Sequence, residues 1–387
     1  EEIVKIFGVS NEIAYSLFIR LDQKMRYWTS SIRESEKIEA EDVWDAMASE
    51  IPKRTYNHDL CPCEPFFTSR LDVIDKIEEE LSCGKEQVVF LRGLPGIGKT
   101  NIISKLSNKR DSLIKIRYYA YEPVQPEKEY LPVDVSERVK KDIFWNELFN
   151  QLRTLLKGNL KKYNVPLQND FMTLEDMKKR FFEIASRYAL EEGFTFVIAI
   201  DGIDHAARAG AGVETFLNTL PNPIYIPQNV KLLIAGQPED GYAEYPRWIK
   251  EDCEEVKKLE VPGIQNEDIL MLVSSKITEE RKDEYTAIAD VVEGIAKGNT
   301  LSAIFAVYEA SMCSNILELE KRLTDRKLHV NIEEYYSSIW DNAVRKITSY
   351  GFVDYKIAGM LALFNEKLDG HLLTDVFSEE NISQRSW

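Results

Sequence analysis

From residue 70 to residue 261 the apolar positions follow two rhythms. Leu71, Ile74, Ile77 and Leu81 recur at three- and four-residue spacing, which predicts an amphipathic helix ended by Gly84. Short segments rich in apolar residues, unbroken at 88–91, predict strands at 88–91, 114–120, 194–200 and 230–235, with a fifth at 256–261. Helical spacing fills the gaps: from Lys99 onward, over 143–156, over 174–190 and at 216–220. Strands alternating with helices predict an α/β fold, a parallel sheet covered on both faces. After Pro262-Gly263 the strand signals stop. Residues 266–323 predict three helices with breaks at Gly294 and Gly298, and residues 332–377 predict a further helical set. Upstream, Ile13, Leu17, Leu21 and Met25, and then Val43, Trp44 and Met47, predict helices within residues 3–50, followed by a proline-bearing linker at 51–65.

A chain of 387 residues has room for several domains and a sizeable core. Its formal net charge of −16 argues against broad, non-specific binding to nucleic acid or membrane surfaces, while leaving room for a local basic patch. There are five cysteines, an odd count that does not predict a disulfide framework. Cys61-Pro62-Cys63 is too tight for paired zinc ligands, and no second pair follows it. A reducing, cytoplasmic setting is expected. No apolar run approaches the roughly 18 residues of a membrane span. The opening Glu1-Glu2-Ile3 has neither an initiator methionine nor a signal-peptide pattern, so a processed chain or a piece of a longer one is expected.

The sharpest motif is Gly93-Leu94-Pro95-Gly96-Ile97-Gly98-Lys99-Thr100, which meets the pattern G-x-x-x-x-G-K-[ST] at every position. A strand precedes it and a helix follows. The glycines Gly93, Gly96 and Gly98 permit the backbone of the loop, including Ile97, to turn its N–H groups toward phosphate oxygens. The helix beginning Lys99-Thr100-Asn101 directs its positive end at the same anion. Lys99 can reach the β- and γ-phosphates, and the Thr100 hydroxyl can ligate magnesium. The expected ligands are ATP or ADP with Mg2+.

Such a loop needs a carboxylate at the end of a neighbouring strand. Phe196 to Ile200 is an apolar run that ends in Asp201, which would place that acid at the carboxyl edge of the sheet, where ligands of open α/β sheets bind. Asp204 follows in the same turn and reads either as the group that orients the attacking water or as a helix N-cap. His205 reads as polar support or surface, and Arg208 as a surface arginine or a phosphate partner across a subunit boundary. The run 230–235 leads into Gly236-Gln237, and Gln237 is a candidate sensor of the γ-phosphate, uncharged and therefore weaker than an arginine there.

These residues resemble a STAND-class signal-transduction ATPase, a relative of the AAA+ ATPases that includes the NACHT and apoptotic-ATPase branches. Four segments carry the resemblance over roughly residues 65–380: Phe66-Phe67-Thr68-Ser69-Arg70, similar to the motif that opens the family's nucleotide domain; the phosphate loop; Asp201-Gly202-Ile203-Asp204, similar to the NACHT acidic motif; and Gly298-Asn299-Thr300-Leu301, similar to the lid segment that packs on adenine. The resemblance implies nucleotide contacts for Phe67, Arg70, Gly298 and Thr300. Several positions depart from the pattern. Ser69 replaces a glycine, Thr300 a proline and His205 a further acid, while Gln237 stands where many members have arginine.

The implied organisation is a helical segment and linker at 1–64, a nucleotide-binding domain at 65–262, a helical lid at 263–328 and an incomplete winged-helix-like domain at 329–387, in which His371 does not match the ADP-holding histidine of relatives. The implied function is a slow Mg-dependent ATPase that acts as a switch. Sensing by another region drives nucleotide exchange, oligomerisation and effector activation, and in many bacterial relatives this serves defence against phages. The other reading is an AAA+-type motor or nucleic-acid-loading ATPase, in which the winged helix would read DNA. It fits sheet and lid equally well but fits the net acidity poorly.

Overall fold

Each of the five segments read as strands becomes a strand in the computed structural model, which describes residues 70–107, 112–121, 138–166, 173–209 and 214–328, with Tyr15, Phe18, Ile19, Leu21, Asp22, Met25, Glu334 and Ser338. The readings of N-terminal helices beyond those positions, of Cys61 and Cys63, of Phe66 to Ser69 and of a winged helix lie outside the described residues. The chain divides into two compact units, the first ending at Gly263 and the second taking up at Ile264.

The first unit runs α1 (Leu71–Cys83), β1 (Val88–Arg92), α2 (Lys99–Ser107), β2 (Ile114–Tyr119), α3 (Lys141–Leu155), α4 (Leu160–Tyr163), α5 (Leu174–Glu192), β3 (Phe196–Asp201), α6 (Ile203–Ala207), β4 (Val230–Gly236), α7 (Arg247–Lys250) and β5 (Val256–Glu260). The strands form one sheet in the order β2-β3-β4-β1-β5, with every neighbouring pair parallel. Alternate residues of a strand point to opposite faces, and the two hydrophobic clusters divide accordingly. Val89, Leu91, Val197 and Ala199 meet Ile74 and Ile77 of α1 and Ile102 and Ile103 of α2. Phe90, Phe196, Ile198 and Ile200 meet Phe144 and Trp145 of α3 and Phe181 of α5. Central strands covered twice must be apolar throughout, and β3 and β4 are buried at every position. The edge strand β5 is only partly covered and carries Lys257, Lys258 and Glu260, charges that discourage pairing with another edge.

One charge inside β4 has a structural task. Lys231 is buried between apolar neighbours, and its ammonium donates to the carbonyls of Glu80 (2.6 Å) and Gly84 (2.7 Å) at the end of α1. It thereby satisfies acceptors that a helix terminus leaves open.

Local chemistry corrects two sequence expectations. Residues 216–220, read as a helix, form only a 3-10 turn over Phe216–Thr219. Pro221 follows and disfavours helical backbone at Leu220, which is extended (ψ 135°). Among the described residues the second unit holds four α-helices, where three were expected over 266–323: α8 (Asn266–Lys276), α9 (Tyr285–Ala296), α10 (Thr300–Ser311) and α11 (Ile316–Asp325), with a 3-10 segment at Glu279–Glu284. Gly294 does not break α9. The helix stops at Lys297 and Gly298, both left-handed (φ 47° and 83°), and Asn299 caps α10 by accepting from the Ser302 N–H (3.0 Å). Asn315 caps α11 in the same way, accepting from Glu318 N–H (3.0 Å). Buried Glu309 of α10 pairs with Arg322 of α11, and Arg281 donates to the carbonyls of Ala310 and Cys313. Among the described residues no helix is long and apolar enough to cross a membrane.

Removing the Lys231 ammonium takes a donor from the part-buried Gly84 carbonyl and leaves Glu80 O with the Gly84 N–H alone (3.1 Å). Lys231→Ala is expected to lower unfolding stability by about 1–3 kcal/mol, read as a lower urea midpoint at unchanged slope. A change below about 0.5 kcal/mol would show that water replaces the lysine without loss.

Candidate nucleotide site

The site is assembled at the carboxyl ends of β1, β4 and β3. β4 lies between the other two, and its last carbonyls hold both functional turns: Gly236 O accepts from Gly93 N–H (3.3 Å) and Ala235 O from Gly202 N–H (3.0 Å). The loop after β1 turns through Gly96 and Gly98, whose φ values of 73° and 105° lie where a side chain is strained. α2 then starts at Lys99.

Within the loop, the Lys99 ammonium donates to the carbonyls of Gly93 (2.7 Å) and Leu94 (3.1 Å). Burial lowers its pKa, and the nearby carboxylates of Asp204 and Asp201 pull the other way. Thr100 Oγ1 donates to Asp201 Oδ2 at 2.6 Å, which joins the first turn of α2 to the end of β3. Asp201 is buried, and desolvation pushes its carboxyl up to about 6, with the Thr100 hydrogen bond and the Lys99 charge acting in opposition. A hydroxyl beside a buried, poorly solvated carboxylate is a hard-oxygen donor set of the kind that suits magnesium. Thr100 and Asp201 therefore fit the role of holding that ion.

Gly202 sits at φ 77° and opens α6, so the helix cap is Gly202 and not Asp204. Asp204 lies in the first turn of α6 and is buried. Its Oδ2 accepts from Gln237 Nε2 (3.0 Å) and from Arg208 Nη2 (2.8 Å). Arg208, read from sequence as surface or as a phosphate partner between subunits, is thus paired inside its own chain. The ring of His205, the residue between Asp204 and Ala206, stacks on Tyr121 with centroids 4.6 Å apart, and burial lowers its pKa.

The loop is also held by residues whose part was not read from the sequence. Arg70 is buried, and its guanidinium donates to the carbonyl of Ile97 (3.1 Å) and to that of Pro262. Arg92, just before the loop, pairs with Glu239 (3.0 Å) and Glu260 (3.1 Å), and Glu239 also pairs with Lys258 (2.9 Å). Tyr245 Oη donates to the Gln237 carbonyl (3.2 Å). Thus Lys99, Thr100, Asp201, Asp204 and Gln237 come together, Asn101 lies on the first turn of α2, and Arg70 meets the loop from behind. Gly298 and Thr300 belong to the second unit, and Phe67 lies outside the described residues.

Residues 83–240 match the family model described as an AAA domain. This stretch is thus similar to AAA domains, and its parallel sheet and phosphate loop are those of an α/β P-loop NTPase core. No curated protein matches the chain. Solved structures similar to it include the Walker-type ATPase of Pyrococcus abyssi, at 14% identity over 71% of this chain and 77% of that one (TM-score 0.41). The Orc1 protein of Aeropyrum pernix, solved in complex with DNA, is 14% identical over 86% of this chain and 85% of that one (TM-score 0.38). A STAND protein with a tetratricopeptide-repeat sensor from Pyrococcus horikoshii is 14% identical over 68% of this chain and 33% of that one (TM-score 0.35).

Two outcomes follow for the NTPase domain. A buried carboxyl moved from 3.8 to about 6 makes the ionised form costly in the fold, by roughly 3 kcal/mol at neutral pH. That cost is absent below the ordinary pKa, grows as pH rises through 4 to 6, and is complete above the folded value. With magnesium chelated, Asp201→Asn should therefore raise unfolding stability by about 2–3 kcal/mol at pH 7 and by little at pH 4. Equal destabilisation at both pH values would contradict this account. Separately, Lys99→Ala should weaken binding of a fluorescent ADP analogue at least about tenfold, roughly 1.4 kcal/mol, and an unchanged titration would remove Lys99 from the site.

Proposed function

We propose that the chain is an ATP/ADP-binding switch of the STAND class, in which slow, magnesium-dependent ATP hydrolysis and nucleotide exchange couple sensing by another region to oligomerisation and effector activation. Gly93 to Gly98 cradle the phosphates with backbone N–H groups, and Lys99 contacts the β- and γ-phosphates. Thr100 and Asp201 hold the ion, which supplies charge neutralisation at the phosphate oxygens. Asp204 orients the attacking water and accepts its proton.

The observation that carries this reading is the hydrogen bond from Gln237 to Asp204. Gln237 stands at the end of β4, beside the strand that launches the phosphate loop. Its amide donates to the carboxylate here, and a γ-phosphate offers the same amide a second charged acceptor. ATP and ADP would then leave Asp204 with different partners. A ligand shifts a conformational equilibrium only through such differential contacts, and a switch needs them more than it needs turnover. Defence against phages is one biological setting that the resemblance offers.

The nucleotide released when the purified protein is denatured tests the reading directly. Near-stoichiometric ADP is the expected result, together with turnover slow against exchange. Little retained nucleotide with rapid ATP turnover, stimulated by DNA in a salt-dependent way, would replace the switch with a motor or nucleic-acid loader.

A further inference from the structure

Arg208 is accounted for neither by the fold nor by the nucleotide contacts. It caps α6, and its side chain is half exposed, so it contributes little to the core. Nevertheless, it is fixed at two points on one residue: Nη2 donates to Asp204 Oδ2 (2.8 Å) and Nε to the Asp204 backbone carbonyl (3.2 Å). The same Nη2 lies 3.4 Å from His205 Nδ1, and the His205 ring is held in turn by its stack on Tyr121.

Gln237 and Arg208 converge on one oxygen of Asp204, and among the described residues Oδ1 accepts no hydrogen bond. A carboxylate with a single hydrogen-bonded oxygen is oriented, and its other oxygen is left for water. Resting on the role of Asp204 proposed above, we infer that Arg208 is a positioning residue: it holds Asp204 by Oδ2, presents Oδ1 to the attacking water, and keeps doing so when Gln237 turns to the γ-phosphate. Two donors are then not redundant, because one of them must be free to leave. A guanidinium that binds side chain and main chain of the same residue fixes direction as well as charge. Misplacing a catalytic group by about an ångström costs on the order of a hundredfold in rate.

The test is a comparison of Arg208→Gln, Arg208→Lys and Asp204→Asn with the unmodified protein, using single-turnover ATP hydrolysis and ADP titration. Arg208→Gln should lower the hydrolysis rate at least tenfold with KM and ADP affinity changed less than twofold. Arg208→Lys, which restores a cationic donor to Oδ2, should recover part of the rate. If Arg208→Gln keeps the full rate while Asp204→Asn loses it, the inference fails and the role of Asp204 stands. If Arg208→Gln weakens ADP binding in step with the rate, Arg208 acts on nucleotide and the inference is equally overturned. If Asp204→Asn hydrolyses at the normal rate, the reading on which the inference rests fails, and the inference fails with it. Thermal unfolding of each variant separates loss of rate from loss of fold, and the lysine variant, which keeps charge and length, provides the answer should the glutamine variant fail to fold.

Discussion

The site depends on the register between β4 and its two neighbours. Arg92 lies opposite Gly236 and Asp201 opposite Ala235, so the ends of three strands fall at nearly one level. Strand register moves in whole residues, and a slip of one would turn every side chain of β4 to the other face, taking Lys231 away from the Glu80 and Gly84 carbonyls. The carbonyls of Ala235 and Gly236 then fix the acidic turn and the phosphate loop to the same strand end. The Thr100 to Asp201 hydrogen bond is a consequence of that arrangement, since neither residue's own loop would bring them to 2.6 Å.

Charge is handled differently at the sheet's two ends and edge. Lys231 enters the interior only to meet two helix-end carbonyls, which is a satisfied burial. Asp201 is buried with far less compensation, and its raised pKa is the record of that deficit. Uncompensated burial is tolerated where the group has work to do with a ligand charge. On the other side of β1, Arg92, Glu239, Lys258 and Glu260 form an alternating array, with Glu239 largely buried and Glu260 exposed. The exposed pair of Arg92 with Glu260 contributes little to stability. The geometric effect of the array is larger, because it moors the turn that carries Gln237 to the strand that carries the phosphate loop.

Much of this was legible in the sequence, for reasons that are local. An apolar run ending in an acid, as in Phe196 to Asp201, states both a buried strand and the polar group at its exit. The phosphate loop is written in contiguous residues. What was not legible depended on distance or on competing local signals. Arg70 joins Ile97 and Pro262, partners far along the chain that no periodicity announces. The Arg208 to Asp204 pair has the common i,i+4 spacing, and nothing in the sequence separates it from a solvated surface pair. Gly294 gave a false break because glycine in a helix costs only about 1 kcal/mol, while the break read at Gly298 is real and begins one residue earlier, at a left-handed lysine that sequence patterns do not favour.

Arg70 shows why these unread contacts matter. One planar guanidinium binds the carbonyl of Ile97, inside the phosphate loop, and the carbonyl of Pro262, at the exit from β5. The backbone of Val261 is tied to the same region through its N–H to the Arg92 carbonyl (2.9 Å). A rigid group with two acceptors cannot follow one of them without straining its bond to the other. Any backbone change in the loop at Ile97 is therefore felt at Pro262, one residue before the first unit ends. The loop that reads phosphate and the segment that leaves the nucleotide-binding unit are thus mechanically one element, and the burial of Arg70 keeps water from loosening the link.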